Sequence, residues 1–282
     1  MTGFSPEWLK LREGADVRSR NAGVGEAVAA KFALRASVNV VDLGCGTGAN
    51  LRATATLLPN RQQWTLVDHD AALLSAAQKE LSHWADEAAP EGNGLRLKKG
   101  HAEIAVHFKA ADLARNLDAA LGEHADLVTA SALFDLVSPE FIRAFTKAAA
   151  SRRAAVYALL TYNGVQRWTP HRPADNQMGS AFHRHMMRDK GFGPAAGPAA
   201  AAELVDHLRL EGYMVLEGGS PWTLGRNDRM LIEELTRNHA IAVGETGAVD
   251  DRTIAAWVNV QRSGAEVGHT DIFAVPSMMT EF

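Results

Sequence analysis

The chain holds a single cysteine, Cys45. One thiol makes an internal disulfide framework impossible and argues against a cysteine-based metal cluster. Positive charge is not in excess either: 29 Lys and Arg face 33 Asp and Glu, a formal net charge of −4. Phosphate backbones are held by concentrated positive charge, so a dominant nucleic-acid role is not expected. The first residues, "MTGFSPEWLKLREGADVRSRN", are charged early and lack an apolar core. No secretory signal is therefore expected. No apolar run approaches the length of a membrane span, and no internal repeat is visible. Together these absences set the expectation of a soluble, cytoplasmic protein with no membrane partner. Hydrophobic residues make up 46% of the 282 positions and charged residues 22%. That is an ordinary globular composition, with room for one large domain or one domain with an insertion.

What is present is alternation. Up to about Thr161, strand-like and helix-like segments follow one another, as a parallel α/β sheet requires. "VNVVDL" (38–43) is a short apolar run, the mark of a strand buried on both faces. "TGANLRATATLL" follows as a helix. "QQWTLVDHD" (62–70) reads as the second strand, and Asp70 is a natural N-cap for "AALLSAAQKELSHWADEA". "GLRLKKGHAEIAVHFKAADLA" holds two strand-like runs and reads as a hairpin or as one long strand. "ADLVTAS" (125–131) is a fourth strand, Ser138 and Pro139 open a helix, and "RAAVYALLTY" (153–162) is a fifth strand. Residues 163–198 break the pattern and are rich in Gly, Pro, His and Arg. A helix and strand return at 200–219, two helices at 227–244 and 250–262, and a closing strand at 268–276.

Between the first strand and its helix stands "DLGCGTGAN", with Gly44, Gly46 and Gly48 at alternate positions. Glycine lets backbone approach a ligand where a Cβ would clash. A nicotinamide fingerprint G-x-G-x-x-G/A can be fitted through Gly44, Gly46 and Ala49, so the glycines alone do not decide the ligand. Asp42, two positions earlier, sits unfavourably for a pyrophosphate and suits a ligand carrying an ammonium group. Asp68, followed by His69, ends the second strand where a carboxylate accepts from ribose hydroxyls. Asp112 follows the third-strand region, placed to accept from an adenine amino group.

Taken in order, "VVDLGCGTGANL", "LVDHD", "AADLA" and "DLVTASALFDLVS" resemble the successive motifs of class I S-adenosylmethionine (SAM)-dependent methyltransferases. The resemblance covers residues 38–161. It implies a Rossmann-like, seven-stranded, mostly parallel sheet with helices on both faces and strand order 3-2-1-4-5-7-6, with a cap insertion after strand 5. It implies that Gly44, Cys45, Gly46 and Gly48 form the turn under SAM or its product S-adenosylhomocysteine, with Cys45 a small filler. It further implies that Asp42 orients the methionine amino end, that Asp68 binds the ribose, that Asp112 and the backbone of Leu113 face the adenine, and that Ser131 lies near the sulfonium. Residues 1–37 would form a helical lid over residues 38–282, with Arg20, or Arg18, pairing with the methionine carboxylate. The bland alternative for those arginines is an exposed helix face.

On the acceptor side, "ALFDLV" follows the fourth strand. There Phe134 would pack on the acceptor and Asp135 would bind or deprotonate it. Tyr162 and Asn163 leave the fifth strand at the same rim. The 163–198 segment, carrying Trp168, His171, His183 and His185 ahead of Asp189 and Lys190, is the expected substrate cap. His183 and His185 with Asp189 invite a metal reading, but that needs a third ligand at proper geometry and His-x-His in a polar loop is more often incidental, so no metal is expected. A histidine general base is the better expectation, His185 first and His183 second. The leading function is methyl transfer from SAM to a small-molecule acceptor. The alternatives are an RNA or protein methyltransferase, served by "YNGVQRWTPHR", a non-catalytic SAM-binding protein, and an NAD-dependent dehydrogenase. The residues are silent on the acceptor atom and on oligomeric state.

Overall fold

Residues 4–277 are described by the computed structural model. Two helices lead. In α1 (Pro6–Ser19), Ser5 caps the first turn by accepting from the Trp8 N–H, and proline opens the helix. In α2 (Ala22–Phe32) Asn21 does the same for Val24. The strand β1 (Val38–Leu43) then enters the centre of the sheet, and α3 (Ala49–Thr54) leaves it through the glycine turn. β2 (Arg61–Asp68) lies parallel beside β1, and α4 (Ala71–Trp84) starts from the Asp70 cap.

The helix expected to continue to residue 88 stops at Trp84, because Glu87–Glu91 forms an exposed strand, β3. β3 pairs with β4 (Gly94–Lys99), which turns back into β5 (Ala102–Ala110). The region left open between hairpin and single strand is thus a hairpin with a further edge strand. α5 (Leu113–Leu121), β6 (Leu127–Ser131) and α6 (Pro139–Ser151) follow as expected. β7 (Ala155–Thr169) runs seven residues past the expected end, so the first part of the 163–198 segment is strand. α7 (Asp175–Met186), α8 (Ala200–Leu210), β8 (Tyr213–Gly219) and β9 (Trp222–Leu224) come next. Then come α9 (Arg229–Gly244), α10 (Asp251–Val258) and β10 (Gly264–Pro276).

The sheet has ten strands, not seven, in the order β3-β4-β5-β2-β1-β6-β7-β10-β8, with β9 paired to β10. Setting aside β3, β4 and β9 leaves the expected 3-2-1-4-5-7-6 order. The additions are local: an edge hairpin, and a short strand against the extended half of β10. β10 runs antiparallel to both β7 and β8, while β5, β2, β1, β6 and β7 are mutually parallel.

Both faces of the parallel strands are covered, which is why they read as unbroken apolar runs. Val41, Leu43, Val128 and Val156 pack on one face with Phe145 of α6 and Leu204 of α8. Val40, Leu66, Leu127 and Tyr157 pack on the other with Val28 of α2 and Leu81 of α4. A third core, with Trp168, Trp222 and Trp257, lies under the extended halves of β7 and β10 and is closed by α7 and α9. Parallel strands place their C-terminal ends, and the loops that follow, along one rim of the sheet, where ligands of such sheets bind.

Candidate active site

The turn after β1 is built by three left-handed glycines, Gly44 at φ 63°, Gly46 at 53° and Gly48 at 75°. Gly46 is the most constrained: an added Cβ would lie 3.0 Å from Cδ1 of Leu9 on α1. Backbone bonds fix the turn to β2. The Cys45 N–H donates to the Val67 carbonyl at 3.0 Å, and the Gly46 N–H donates to Asp68 Oδ2 at 2.9 Å. Asp68 Oδ1 accepts from the Asp70 N–H at 3.0 Å. The Asp68 carboxylate is buried and rigid, and each oxygen keeps a further lone pair. His69 is exposed beside it, its Nδ1 3.4 Å from Asp68 Oδ1. Burial, with Asp42 and Asp68 nearby, pushes the Cys45 thiol well up. Cys45 therefore stays protonated and fills space.

Below the turn lies a buried polar network. Asp42 is fully buried; its Oδ1 accepts from Asn50 Nδ2 at 2.7 Å and its Oδ2 has no partner. Burial pushes the Asp42 carboxyl up to about 7, against the pull of the Asn50 hydrogen bond and the Arg20 guanidinium. Asn50 also donates to Thr129 Oγ1 at 3.0 Å and accepts from Arg20 Nη2 at 2.9 Å and Thr54 Oγ1 at 3.0 Å. Arg20 Nη1 donates to Thr54 Oγ1 at 2.8 Å, and its Nε–H is buried without a partner. Arg20 thus reaches the glycine turn from α1's end, through Asn50. Arg18 instead pairs with Asp228.

α1 is clamped over this region. Arg52 of α3 holds Glu13 through contacts at 2.8 to 3.0 Å and donates to the Thr47 carbonyl at 2.8 Å. A cavity of 310 Å³ remains between α1, Thr47 and α4, lined by Lys10, Glu13 and Glu80 among others.

A second cluster forms where β6, β7 and β10 reach the rim. Ser131 ends β6 and is half-buried. Phe134 is buried against Phe145, its ring centroid 5.0 Å away, and faces the core. Asp135, buried in the short 3-10 turn beside it, has an unpartnered Oδ1. Burial raises its carboxyl to about 6, opposed by backbone hydrogen bonds at Asp135 and Tyr162 and by the Arg12 and Lys190 charges. Tyr162 meets His183 Nε2 at 2.8 Å through its hydroxyl. His183 is held below its ordinary value by burial, and a hydrogen bond to the Gly164 backbone opposes this. His269, on β10, lies 6.3 Å from the Tyr162 ring and 5.3 Å from Trp222. Burial drops it to about 3, and its Nδ1 is unpartnered. Arg12 closes the cluster from α1, bonding Asp16 at 2.9 and 3.1 Å and stacking over Trp222 at 4.9 Å.

Two non-glycine residues with left-handed backbone frame this rim, Ala132 at φ 53° and Leu160 at 51°. The Leu160 N–H donates to Asp271 Oδ1 at 2.8 Å, and Asp271 Oδ2 accepts from the Asn21 N–H at 2.8 Å. Such backbone costs roughly 1–3 kcal/mol and persists where surroundings over-determine it, which here is the point where the pairing of β6 with β7 ends, at Ser131 and Leu159. Asp271 sits at one of two bulges in β10, which re-aim the strand's side chains.

The residues expected from sequence are distributed unevenly. Gly44, Gly46, Gly48, Asp42, Asp68 and Arg20 converge on one turn. Asp112 caps α5, exposed, with Leu113 buried behind it, and the Ala111 N–H bonds the Asp68 carbonyl at 2.9 Å. Asp135, Tyr162 and His183 converge on the second cluster. His185 does not: two positions on, it leaves α7 in another direction and pairs with Glu245 at 2.9 Å. Trp168 is core, and Asn163 and His171 are exposed. Asn50, Arg12, His269 and Asp271 were not read from sequence. Charged or imidazole side chains inside the apolar run "GHTDIFAVP" were the available signal for the last two. Among the described residues no three His, Cys, Asp or Glu side chains come together as a metal-holding group. No helix there is long and apolar enough to cross a membrane.

No family model matches the chain, and the search of curated proteins found no match. Solved structures do match. The cyclopropane synthase MmaA2 of Mycobacterium tuberculosis aligns at TM-score 0.53 and 12% identity, over 96% of this chain and 94% of its own. A candidate methyltransferase of Bacillus halodurans aligns at TM-score 0.51 and 12% identity, over 90% of this chain and 99% of its own. At such identity the likeness is one of fold, and it agrees with the strand order found here. The chain has the fold of the class I SAM-dependent methyltransferases.

Proposed function

We propose that the protein transfers a methyl group from SAM to a small-molecule acceptor. The observation that carries this reading is the unpartnered, buried Asp42 oxygen beneath a left-handed glycine turn, with Asp68 fixed beside it. Two carboxylates at a glycine turn oppose a pyrophosphate and match a ligand with an ammonium and a ribose. These residues fit SAM: Asp42 faces the amino end, Arg20 serves the carboxylate, Asp68 the ribose, Asp112 and Leu113 the adenine, and Ser131 the reacting end. SAM supplies a methyl group already activated by its sulfonium.

The chain's own task is placement, which accounts for roughly 7–11 kcal/mol in favourable intramolecular cases. Asp135, with its carboxyl at about 6, is mostly ionised at neutral pH and offers Oδ1 to a hydrogen of the acceptor. It is the group best suited to take a proton if the acceptor must lose one. The Tyr162–His183 pair orients the acceptor from the β7 side, in place of His185. α1 and the segment 163–198 exclude water as lid and cap.

The test is transfer of labelled methyl from SAM into a fractionated cell extract. Label in the low-mass fraction supports the reading. Label confined to protein or RNA overturns the small-molecule assignment, and no label overturns the activity.

A further inference from the structure

A groove of 770 Å³ lies between α9 and the segment that follows α10, and it shares no lining residue with the clusters described above. Arg229, Glu233 and Arg237 form one wall, spaced four apart on one face of α9. Asn259, Gln261 and Arg262 form the other, and Arg226 stands at the end. Three exposed guanidiniums, those of Arg226, Arg229 and Arg237, thus line the groove with one carboxylate, in a chain whose formal net charge is −4.

The arginines are in different states. Arg226 is exposed on the turn before α9, which Asp228 anchors to the Gly225 N–H at 3.1 Å. Among the described residues its guanidinium bonds nothing. Arg229 and Arg237 reach only neighbours on their own helix, the exposed Glu233 and the half-buried Glu234. Exposed pairs of this kind are worth about 0–1 kcal/mol, so an incoming oxyanion competes with them readily. Arg262 is the opposite case. Its side chain is 1% exposed, and it bonds the Pro170 carbonyl at 2.5 Å and Asp175 at 2.8 Å. The Trp168 and Trp257 rings lie 5.5 and 5.0 Å from it. Its Nε–H is buried and unpartnered. One fixed, already paired cation therefore lies behind three exposed ones. The floor between them is apolar, from Ile232 and Val258.

We propose that this groove binds a small phosphorylated molecule, held by Arg226, Arg229 and Arg237, with its apolar part on Val258. Guanidinium forks match phosphate oxygens bidentately. The volume is that of a small-molecule site, and the net charge of −4 disfavours a nucleic-acid backbone.

The probe is inorganic pyrophosphate, titrated calorimetrically into the full chain at low salt. The expected result is saturable binding that weakens at least tenfold in Arg226→Ala/Arg237→Ala, with melting and SAM affinity unchanged. A Lys98→Ala/Lys99→Ala control, on β4, should bind as wild type. Absence of pyrophosphate binding, equal weakening in the control, or equal displacement by sodium chloride at matched ionic strength would overturn the proposal. Tighter binding of a short single-stranded RNA, lost in the same double variant, would overturn it in favour of nucleic acid.

Discussion

Asp42 is the position where stability and function pull apart. Its carboxyl is fully buried, bonded at one oxygen only, and raised from 3.8 to about 7 by burial. At about 1.4 kcal/mol per pH unit, the ionised group costs the fold on the order of 4 kcal/mol at high pH. The sign follows from proton uptake. Between about pH 4 and 7 the folded state keeps a proton that the unfolded state has lost, so stability from this group is full at low pH and declines as pH rises toward 7. Asp42→Asn removes the charge while its amide oxygen still accepts from Asn50. In denaturant melts the variant should match wild type near about pH 4 and exceed it by a few kcal/mol near about pH 8. SAM affinity at that pH should nonetheless fall at least tenfold, because the ammonium loses its carboxylate. A further consequence is proton release when SAM binds near pH 7, since a nearby cation favours the ionised form. Calorimetry in buffers of different ionisation enthalpy reads this directly. A variant less stable than wild type at high pH, or one that keeps full SAM affinity, would refute the reasoning.

Other perturbations have distinct signatures. Asn50→Leu leaves the Asp42 carboxyl and the Arg20 guanidinium each short of a hydrogen bond, and should cost about 3–5 kcal/mol in urea unfolding; a loss below about 1 kcal/mol would contradict the network. Tyr162→Phe should lower kcat/KM about tenfold by freeing His183, while His185→Gln, which breaks only the Glu245 contact, should stay within twofold. With Asp135 as proton acceptor the rate should rise through pH 6 to a plateau, and Asp135→Asn should abolish that rising limb.

The glycine turn was legible in the sequence because its parts are local. Asp42, the three glycines and the helix start lie within a dozen residues, and Asp68 ends the next strand. The network that completes it is not local. Arg20 bonds a residue 30 positions on, and Asn21 meets Asp271 across 250 positions. No periodicity carries such pairings. From sequence the fifth strand ends at Tyr162, because "NGVQRWT" is polar and glycine-containing, whereas β7 runs on to Thr169. It is held as strand by its antiparallel register with Gly264–Val267, which its own residues do not announce. The expected helix runs on to Ala88 because the exposed side chains of "EAAPE" leave no burial pattern to mark a strand. His183 and His185 are both polar positions of one segment. Only the rotation of α7 decides that the first meets Tyr162 and the second Glu245.

The central claim is that the turn from Asp42 to Gly48, with Asp68, holds SAM. Calorimetric titration of SAM and of NAD into wild type and Asp68→Ala tests it most directly. Expected are saturable SAM binding to wild type, none of NAD, and at least a tenfold loss of SAM affinity in the variant with its melting transition still cooperative. NAD binding in place of SAM, or unchanged SAM affinity in Asp68→Ala, would contradict it.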